Sequence, residues 1–180
     1  DLWPLSLTET DLRRSEIYQA QRKREELRAS AGDLDGFLRS LGQVLSVGPI
    51  EEGEWGRVAQ MHQRTNQFNM TTRRYSEEDL RRLVAEGGIV FTGSLRDCFG
   101  DQGLVITACV KPEGSVWRLD TFLMSCRVMG RRVEEAFLSA VVEAARAEGA
   151  VRLDGEFIPT ERNGPAADAY RRLGFHGPIT

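Results

Sequence analysis

The order of apolar segments after residue 43 constrains the fold more than any other feature of this sequence. Short runs rich in valine, isoleucine and leucine alternate with amphipathic runs, and turns separate them. Three apolar runs follow one another with only short connections, which is typical of an antiparallel meander. The sequence thus predicts strands at 43–49, 89–97, 104–111, 116–124 and 151–158, with a candidate last strand at 175–179. Helices are predicted at 54–66, 76–87, 130–148 and 166–174.

The first 42 residues have a different character. A charged helix is predicted over 9–30, with too few apolar positions for a core helix, and a short helix follows that begins at Asp33–Gly36 and ends at Gly42. We therefore expect a helical connector over 1–42 and a single α/β domain over 43–180. Because the chain begins with Asp1 rather than methionine, we expect it to be a piece of a longer protein.

Composition excludes several classes of function. A formal net charge of -3 argues against duplex nucleic acid as a partner. No apolar run approaches the roughly 20 residues that a membrane helix needs, so we expect no membrane partner. Three cysteines without a CxxC pair, and no secretory leader, favour a reduced cytoplasmic setting, and two isolated histidines predict no metal site.

The stretch Ser125–Glu135, SCRVMGRRVEE, combines a cysteine, three arginines and a glycine between a predicted strand and a predicted helix. Unpaired N–H groups at a helix start can bind phosphate, and a glycine permits close approach of the backbone. The candidate anion-binding residues are Arg127, Gly130, Arg131 and Arg132. The stretch is equally consistent with an ordinary basic turn between a strand and a helix.

Cys126 directly precedes this predicted helix. A thiol at a helix N-terminus beside arginines has a lowered pKa, and its thiolate is a nucleophile that can accept an acyl group. We therefore name Cys126 as a candidate catalytic residue. The alternative is a cysteine that only packs, since no histidine or carboxylate adjacent in sequence could act as its base.

A second polar cluster lies at 63–75, QRTNQFNMTTRRY, between two predicted helices. Dense hydrogen-bonding side chains suit a small polyhydroxylated or phosphorylated acyl group. The candidate substrate-binding residues are Asn66, Gln67, Asn69, Thr71 and Arg73. The alternative is a loop whose side chains satisfy its own backbone.

The predicted order of elements, with Arg127-x-x-Gly130 and Asn163-x-x-Ala166-x-x-x-Tyr170, resembles the GNAT acyltransferase fold. The resemblance implies a mixed, mostly antiparallel sheet flanked by helices. It also implies a loop that binds the pyrophosphate of acetyl-CoA, with Asn163 and Tyr170 facing the cofactor thiol. Arg132 stands where that family prefers glycine or alanine, which favours the phosphopantetheine arm of an acyl carrier protein over free acetyl-CoA.

Longer strings, including TNQFNMTTRRYS, LDTFLMSCRVMGRRVE and GEFIPTERNGPAADAYRRLGF, resemble the C-terminal region of FkbH-like proteins of the HAD superfamily. The resemblance implies loading of a glyceryl unit from 1,3-bisphosphoglycerate onto an acyl carrier protein in polyketide biosynthesis. It implies Cys126 as the acyl acceptor, and an N-terminal HAD domain, outside these 180 residues, that binds Mg²⁺. Cys98 departs from the arginine expected in the string RDCFGD.

These observations predict the acyl-handling domain of a glyceryltransferase and phosphatase, with no tightly bound cofactor of its own. Cys126 would carry the glyceryl group as a thioester, and Tyr170 would protonate a departing thiolate. Two alternatives stay open at this point. One is a domain that only docks the carrier protein, and the other is an acetyl-CoA-dependent N-acetyltransferase.

Overall fold

The computed structural model describes the backbone of residues 9–177 and the side chains of residues 15–177. The described helices are α1 Glu9–Ser30, α2 Leu34–Leu41, α3 Trp55–Arg64, α4 Glu77–Ala85, α5 Val133–Ala147 and α6 Ala169–Arg172. The described strands are β1 Val44–Pro49, β2 Ile89–Asp97, β3 Gly100–Glu113, β4 Val116–Met124 and β5 Arg152–Gly155. Short 3₁₀ turns lie at Glu52–Glu54, Cys126–Val128 and Gly164–Ala166.

The strands form one mixed sheet in the order β1-β2-β3-β4-β5. β3 and β4 pair antiparallel, and β4 pairs in parallel with β5. This architecture confirms the predicted α/β class. The predicted last strand is not formed at residues 175–177, and residues 178–180 lie outside the described part of the chain.

Local sequence signals set several element ends. Asp33 accepts a hydrogen bond from the backbone of Gly36 at the start of α2, and Gly42 ends that helix with a φ of 54°. Ser76 and Asp79 form a reciprocal capping box at the start of α4. These helix ends agree with the sequence prediction.

Contacts within the chain define two compact units. The first contains the described residues up to Val44 together with 96–102. In it, the buried carboxylate of Asp97 accepts hydrogen bonds from Arg24 Nε at 2.7 Å and Arg24 Nη2 at 2.8 Å. The same carboxylate accepts hydrogen bonds from the Phe99 backbone and the Gln102 side chain. A bidentate ion pair therefore ties α1 to the connection between β2 and β3.

The second unit contains residues 45–95 and the described residues from 103 to 177, and it buries apolar side chains on both faces of the sheet. One cluster includes Phe122 of β4, whose ring stacks on Phe137 of α5 at a centroid distance of 5.9 Å. The other places Val58 of α3 and Leu80 of α4 with Leu123 of β4. Helices thus cover both faces, as the sequence predicts.

An extra residue in β4 shifts the alternation of its side chains. Cys109 pairs with Thr121 and Val110 pairs with Leu119, so Asp120 bulges out of the ladder. Trp117 and Leu119, before the bulge, belong to the apolar cluster that contains Phe137 of α5. Phe122 and Met124, after the bulge, belong to the same cluster. The bulge therefore keeps one face of β4 apolar although the sequence period changes by one.

His62 is a fully buried residue of α3. Its Nδ1 lies 3.2 Å from the carbonyl oxygen of Arg73, which can only accept, so Nδ1 carries the proton. Its Nε2 lies 3.9 Å from the Cys109 sulfur. Burial lowers the pKa of His62 below its ordinary 6.5, so the imidazole is neutral in the folded protein.

We predict that the free energy of unfolding falls as pH drops below about 6.5, because the unfolded chain takes up a proton at His62 that the folded chain refuses. The slope contributed by this group is at most about 1.4 kcal/mol per pH unit. Urea unfolding of wild type and His62→Gln from pH 7.5 to 5 measures it. The exposed His176→Gln is the matched control, and an equal slope in wild type and His62→Gln would contradict the assignment.

Candidate active site

The bulge in β4 marks the point where the sheet opens. β5 pairs with β4 only along Val116–Leu119 and ends at Gly155, whereas β4 continues to Met124. Beyond the bulge, one edge of β4 therefore has backbone N–H and C=O groups that β5 does not pair. Such groups need partners or solvent, and an open edge of this kind can accept an added extended segment.

The chain itself fills this edge with residues Phe68–Met70, called here the closing segment. Met70 N donates to Phe122 O and Met124 N donates to Phe68 O, each at 3.0 Å. On its other side, Met70 O accepts from Ile158 N at 2.8 Å. The closing segment thus lies between the second half of β4 and the residues that follow β5.

Asn163 holds the closing segment in place. This side chain is fully buried, and its Nδ2 donates to Asn69 O at 3.0 Å and to Ile158 O at 2.9 Å. Its Oδ1 accepts from Thr160 N at 2.7 Å. All these partners are backbone groups, so Asn163 has a structural role in the interior here, whereas the resemblance implied contact with a cofactor thiol.

Two predicted substrate-binding residues are also buried. Asn69 donates to Thr65 O at 3.2 Å and accepts from Thr72 N at 2.8 Å, which supports the left-handed conformation of Thr72 at φ 54°. Thr71 Oγ1 donates to Asp120 O at 3.0 Å. Both side chains therefore hydrogen-bond to backbone groups, as expected for the alternative of a loop whose side chains satisfy its own backbone. Because both are buried, they have little surface to offer to a substrate.

The carboxylate of Asp120 organises a polar network at the bulge. It accepts from Tyr75 Oη at 2.5 Å and from Lys111 Nζ at 2.8 Å, and Arg73 Nη1 lies 3.5 Å from it. Burial by itself raises the pKa of Asp120, but the hydrogen bonds from Lys111 and Tyr75 outweigh it and hold this pKa below its ordinary range. Arg73 also pairs with Glu156 at 2.7 Å.

Cys126 lies in a cavity of about 440 Å³ between α3 and the residues that follow β4. Cys126 is exposed. Gln67 and Arg127, which line the same cavity, are exposed as well, and Asn66 is half-buried there. None of the described residues that line the cavity is acidic. The described residues that line it are Arg57, Gln60, Met61, Arg64, Thr65, Asn66, Gln67, Phe68, Met124, Ser125, Cys126 and Arg127.

The connection from β4 to α5 differs from the sequence prediction. α5 begins at Val133, not near residue 130, and Cys126–Val128 forms a separate 3₁₀ turn. Gly130 at φ 75° and Arg132 at φ 56° both bend the chain before the helix begins. Cys126 is therefore not placed at the first turn of α5, and the cations beside it come from α3 and from Arg127.

The predicted basic residues of this connection separate in space. Arg127 lines the Cys126 cavity, and its Nε donates to Ser125 Oγ at 3.2 Å. Arg131 is 4% exposed and interacts within the protein, so it has little surface to offer to a phosphate. Arg132 is exposed at the N-terminal end of α5.

Tyr170 and Arg73 lie at a different cavity, of about 660 Å³, which shares no lining residue with that of Cys126. The Tyr170 ring packs against Gly155, where a Cβ would lie 2.7 Å from the ring. Its buried hydroxyl has no hydrogen-bond partner among the described residues. Burial raises the pKa of Tyr170, which keeps this hydroxyl protonated as a donor.

The structure thus brings together Cys126, Arg127, Asn66 and Gln67, but it does not bring Tyr170, Arg73 or Asn163 to the same cavity. It adds Arg57 and Arg64, which sequence reasoning missed. Their spacing of seven residues on an amphipathic helix was a signal that they share one face. Nothing local in the sequence indicated that this face meets Cys126.

Within residues 15–177, no cluster of three histidine, cysteine or acidic side chains has the arrangement of a metal site. No described helix has the length and apolar character needed to cross a membrane.

No protein-family model and no curated protein matches this sequence. Solved structures are similar to it. One from Desulfovibrio desulfuricans, assigned to the GNAT family of acetyltransferases, is 16% identical with a TM-score of 0.59, covering 76% of this chain and 87% of that one. Ribosomal-protein-S18-alanine N-acetyltransferase from Escherichia coli is 16% identical with a TM-score of 0.57, covering 76% and 80%.

An aminoglycoside N-acetyltransferase, AAC(6')-Iy, solved in complex with CoA, is 12% identical with a TM-score of 0.56, covering 77% of this chain and 92% of that one. At such identities the likeness establishes the fold, and the chain has the GNAT-like acyltransferase fold. None of these structures bears on the FkbH-like resemblance, which stays a prediction.

Acetyl-CoA is the cofactor that this fold implies. Of the two residues assigned to its thiol end, Tyr170 has a hydroxyl that could donate to it, whereas Asn163 does not fit that role here. Both N–H groups of the Asn163 amide donate to backbone oxygens and its oxygen accepts from a backbone N–H, and the closing segment occupies the open edge of β4 where an extended ligand could add. At the phosphate end, Arg132 stands in a left-handed conformation ahead of α5. An acyl-CoA that accepts a hydrogen bond from the Asn163 amide would have to replace one of its backbone partners.

We predict that Asn163→Ala lowers the free energy of unfolding by about 2–4 kcal/mol, because it leaves several buried backbone groups without partners. Urea unfolding at pH 7.5 measures the change. Gln67→Ala, an exposed carboxamide two residues before Asn69, serves as the control and should stay within about 0.5 kcal/mol of wild type. If Asn163→Ala lowers the free energy of unfolding by less than about 1 kcal/mol, Asn163 does not hold the closing segment in place as we infer.

Proposed function

We propose that this chain is an acyltransferase domain that carries a glyceryl group on Cys126 and passes it to the phosphopantetheine thiol of an acyl carrier protein. The observation that carries the proposal is the exposed thiol of Cys126 in a cavity lined by arginines and carboxamides without an acidic residue. The donor that suits this cavity is an acyl phosphate, 1,3-bisphosphoglycerate, as the FkbH-like resemblance implies.

The proposed transfer has two balanced steps. The Cys126 sulfur attacks the acyl carbonyl carbon, the bond from that carbon to the phosphate oxygen breaks, and the phosphate leaves with the thiol proton. The carrier-protein thiol then attacks the thioester, forms a new thioester and returns its proton to the Cys126 sulfur. The acyl group that moves in both steps still bears the second phosphate of 1,3-bisphosphoglycerate. Hydrolysis of that phosphate ester by water, in the HAD domain that the resemblance implies, would leave the glyceryl group.

Asn66 and Gln67 are the side chains suited to the glyceryl hydroxyls. Both line the Cys126 cavity, and carboxamides can donate and accept hydrogen bonds at once. The Asn66 carbonyl oxygen already accepts from Arg74 Nη2 at 2.5 Å, which fixes that amide and leaves its nitrogen to donate. Tyr170 and Arg73 have no assigned step, because they line the other cavity.

A second candidate is an acetyl-CoA-dependent N-acetyltransferase. Its support is the fold, since the similar solved structures include N-acetyltransferases and one of them was solved in complex with CoA. The closing segment and the buried Asn163 are the observations against it. A domain that only docks the carrier protein is the third candidate, and no contact in the described chain favours it over the other two.

We predict that exposure to freshly generated 1,3-bisphosphoglycerate adds one phosphoglyceryl group to the chain, detected by intact mass and mapped by peptide analysis to Cys126. Cys126→Ser should abolish the adduct, because a serine hydroxyl is not ionised at neutral pH. Cys98→Ser, which removes the other exposed thiol, should retain it. An adduct elsewhere, or none, would remove the covalent role of Cys126.

We also predict that acetyl-CoA leaves the melting temperature unchanged, because the closing segment occupies the β4 edge. A ligand at 100 times its Kd stabilises a protein by about 2.7 kcal/mol, which corresponds to a shift of several degrees. Thermal unfolding with millimolar acetyl-CoA, and with equal ionic strength of salt as the control, checks this. A saturable rise of several degrees would support the N-acetyltransferase instead.

A further inference from the structure

Three arginines converge on the Cys126 cavity from two parts of the chain. Arg57 and Arg64 lie two turns apart on α3, and Arg127 follows the cysteine. Although the Arg57 side chain is exposed, desolvation of its guanidinium lowers its pKa, and the positive charges of Arg127 and Arg64 lower it further. The three charges therefore act on one another across the cavity.

Among residues 15–177, no carboxylate pairs with these arginines. Arg57 Nη1 donates to the neutral Gln60 at 2.5 Å, and Arg127 Nε donates to the neutral Ser125 at 3.2 Å. Elsewhere in the described chain, exposed arginines such as Arg81 and Arg82 pair with carboxylates. Like charges gathered without an acid raise the free energy of the empty cavity, and an anion lowers it.

We propose that Arg57, Arg64 and Arg127 form a binding site for the phosphate group of the acyl donor. The planar guanidinium group of arginine can donate two parallel hydrogen bonds to phosphate oxygens. Three guanidinium groups therefore suit a dianionic phosphate with three terminal oxygens. A cavity of about 440 Å³ lies within the range that takes small metabolites. The identity of the donor rests on the proposed function, whereas the anion site rests on the charges alone.

The position of the site gives it a second consequence. Cys126 lines the same cavity, so an acyl phosphate held by the arginines presents its carbonyl carbon near the thiol. Negative charge grows on the phosphate as the bond to the acyl carbon breaks. Fixed guanidinium groups at that phosphate stabilise the leaving group during the step.

The test compares alkylation of Cys126 by anionic iodoacetate and neutral iodoacetamide in the intact chain, followed by mass spectrometry. The ratio of the two rate constants cancels the intrinsic reactivity of the thiol and reports the local field. We expect the ratio at Cys126 to exceed that at the exposed Cys98 of the same molecule by about 3- to 10-fold at low salt. Each of Arg57→Gln, Arg64→Gln and Arg127→Gln should lower it about 2-fold or more.

Arg146→Gln is the matched control, since it removes one exposed arginine that does not line the cavity, and its ratio should equal that of wild type. A ratio at Cys126 that equals the ratio at Cys98, or that the three cavity variants leave unchanged, would overturn the site. Because the cavity arginines are exposed, these variants should fold, and circular dichroism verifies it.

Inorganic phosphate distinguishes a phosphate site from a general positive field. Millimolar phosphate should slow iodoacetate alkylation of Cys126 at least 3-fold more than sodium chloride of equal ionic strength, and the Arg57→Gln/Arg64→Gln double variant should lose this protection. Equal effects of the two salts would reject the phosphate site. An intact phosphate effect without a phosphoglyceryl adduct would instead reject the glyceryl donor and leave the anion site standing.

Discussion

The extra residue at Asp120 is the constraint on which the architecture of the second unit depends. It keeps Phe122 and Met124 on the same face as Leu119, and it turns a carboxylate towards Tyr75 and Lys111. Pairing with β5 stops directly before it. A strand that bends away from its parallel neighbour must find new backbone partners, and the closing segment supplies them.

Pairing of the closing segment with β4 determines which surfaces of this part of the sheet remain open to ligands. The closing segment occupies the edge of β4, and the Cys126 cavity and the Tyr170 cavity have no lining residue in common. One contains an exposed thiol among cations, and the other contains the buried tyrosine hydroxyl and several ionisable side chains. The fold alone therefore does not select a chemistry, because one fold can host different reactions and these two cavities offer different side chains.

Sequence reasoning succeeded where the information was local. The predicted strands 89–97 and 116–124 have the observed bounds, since alternation and β-branched residues define them. The closing segment was missed because three residues that pair with a strand more than fifty positions away leave no periodic signal. The predicted start of α5 was too early because a left-handed backbone conformation, such as that of Arg132, leaves no signal in the spacing of apolar residues.

The candidate site shows the same division between local and non-local information. The sequence identified Cys126 and Arg127, which are neighbours in the chain, but assigned their setting to a helix start that lies further along. The setting that the structure provides comes from Arg57 and Arg64, on a helix about sixty residues earlier. An electrostatic environment assembled from distant elements is a property of the fold, so the chemistry available to a cysteine can be judged only after the elements that face it are known.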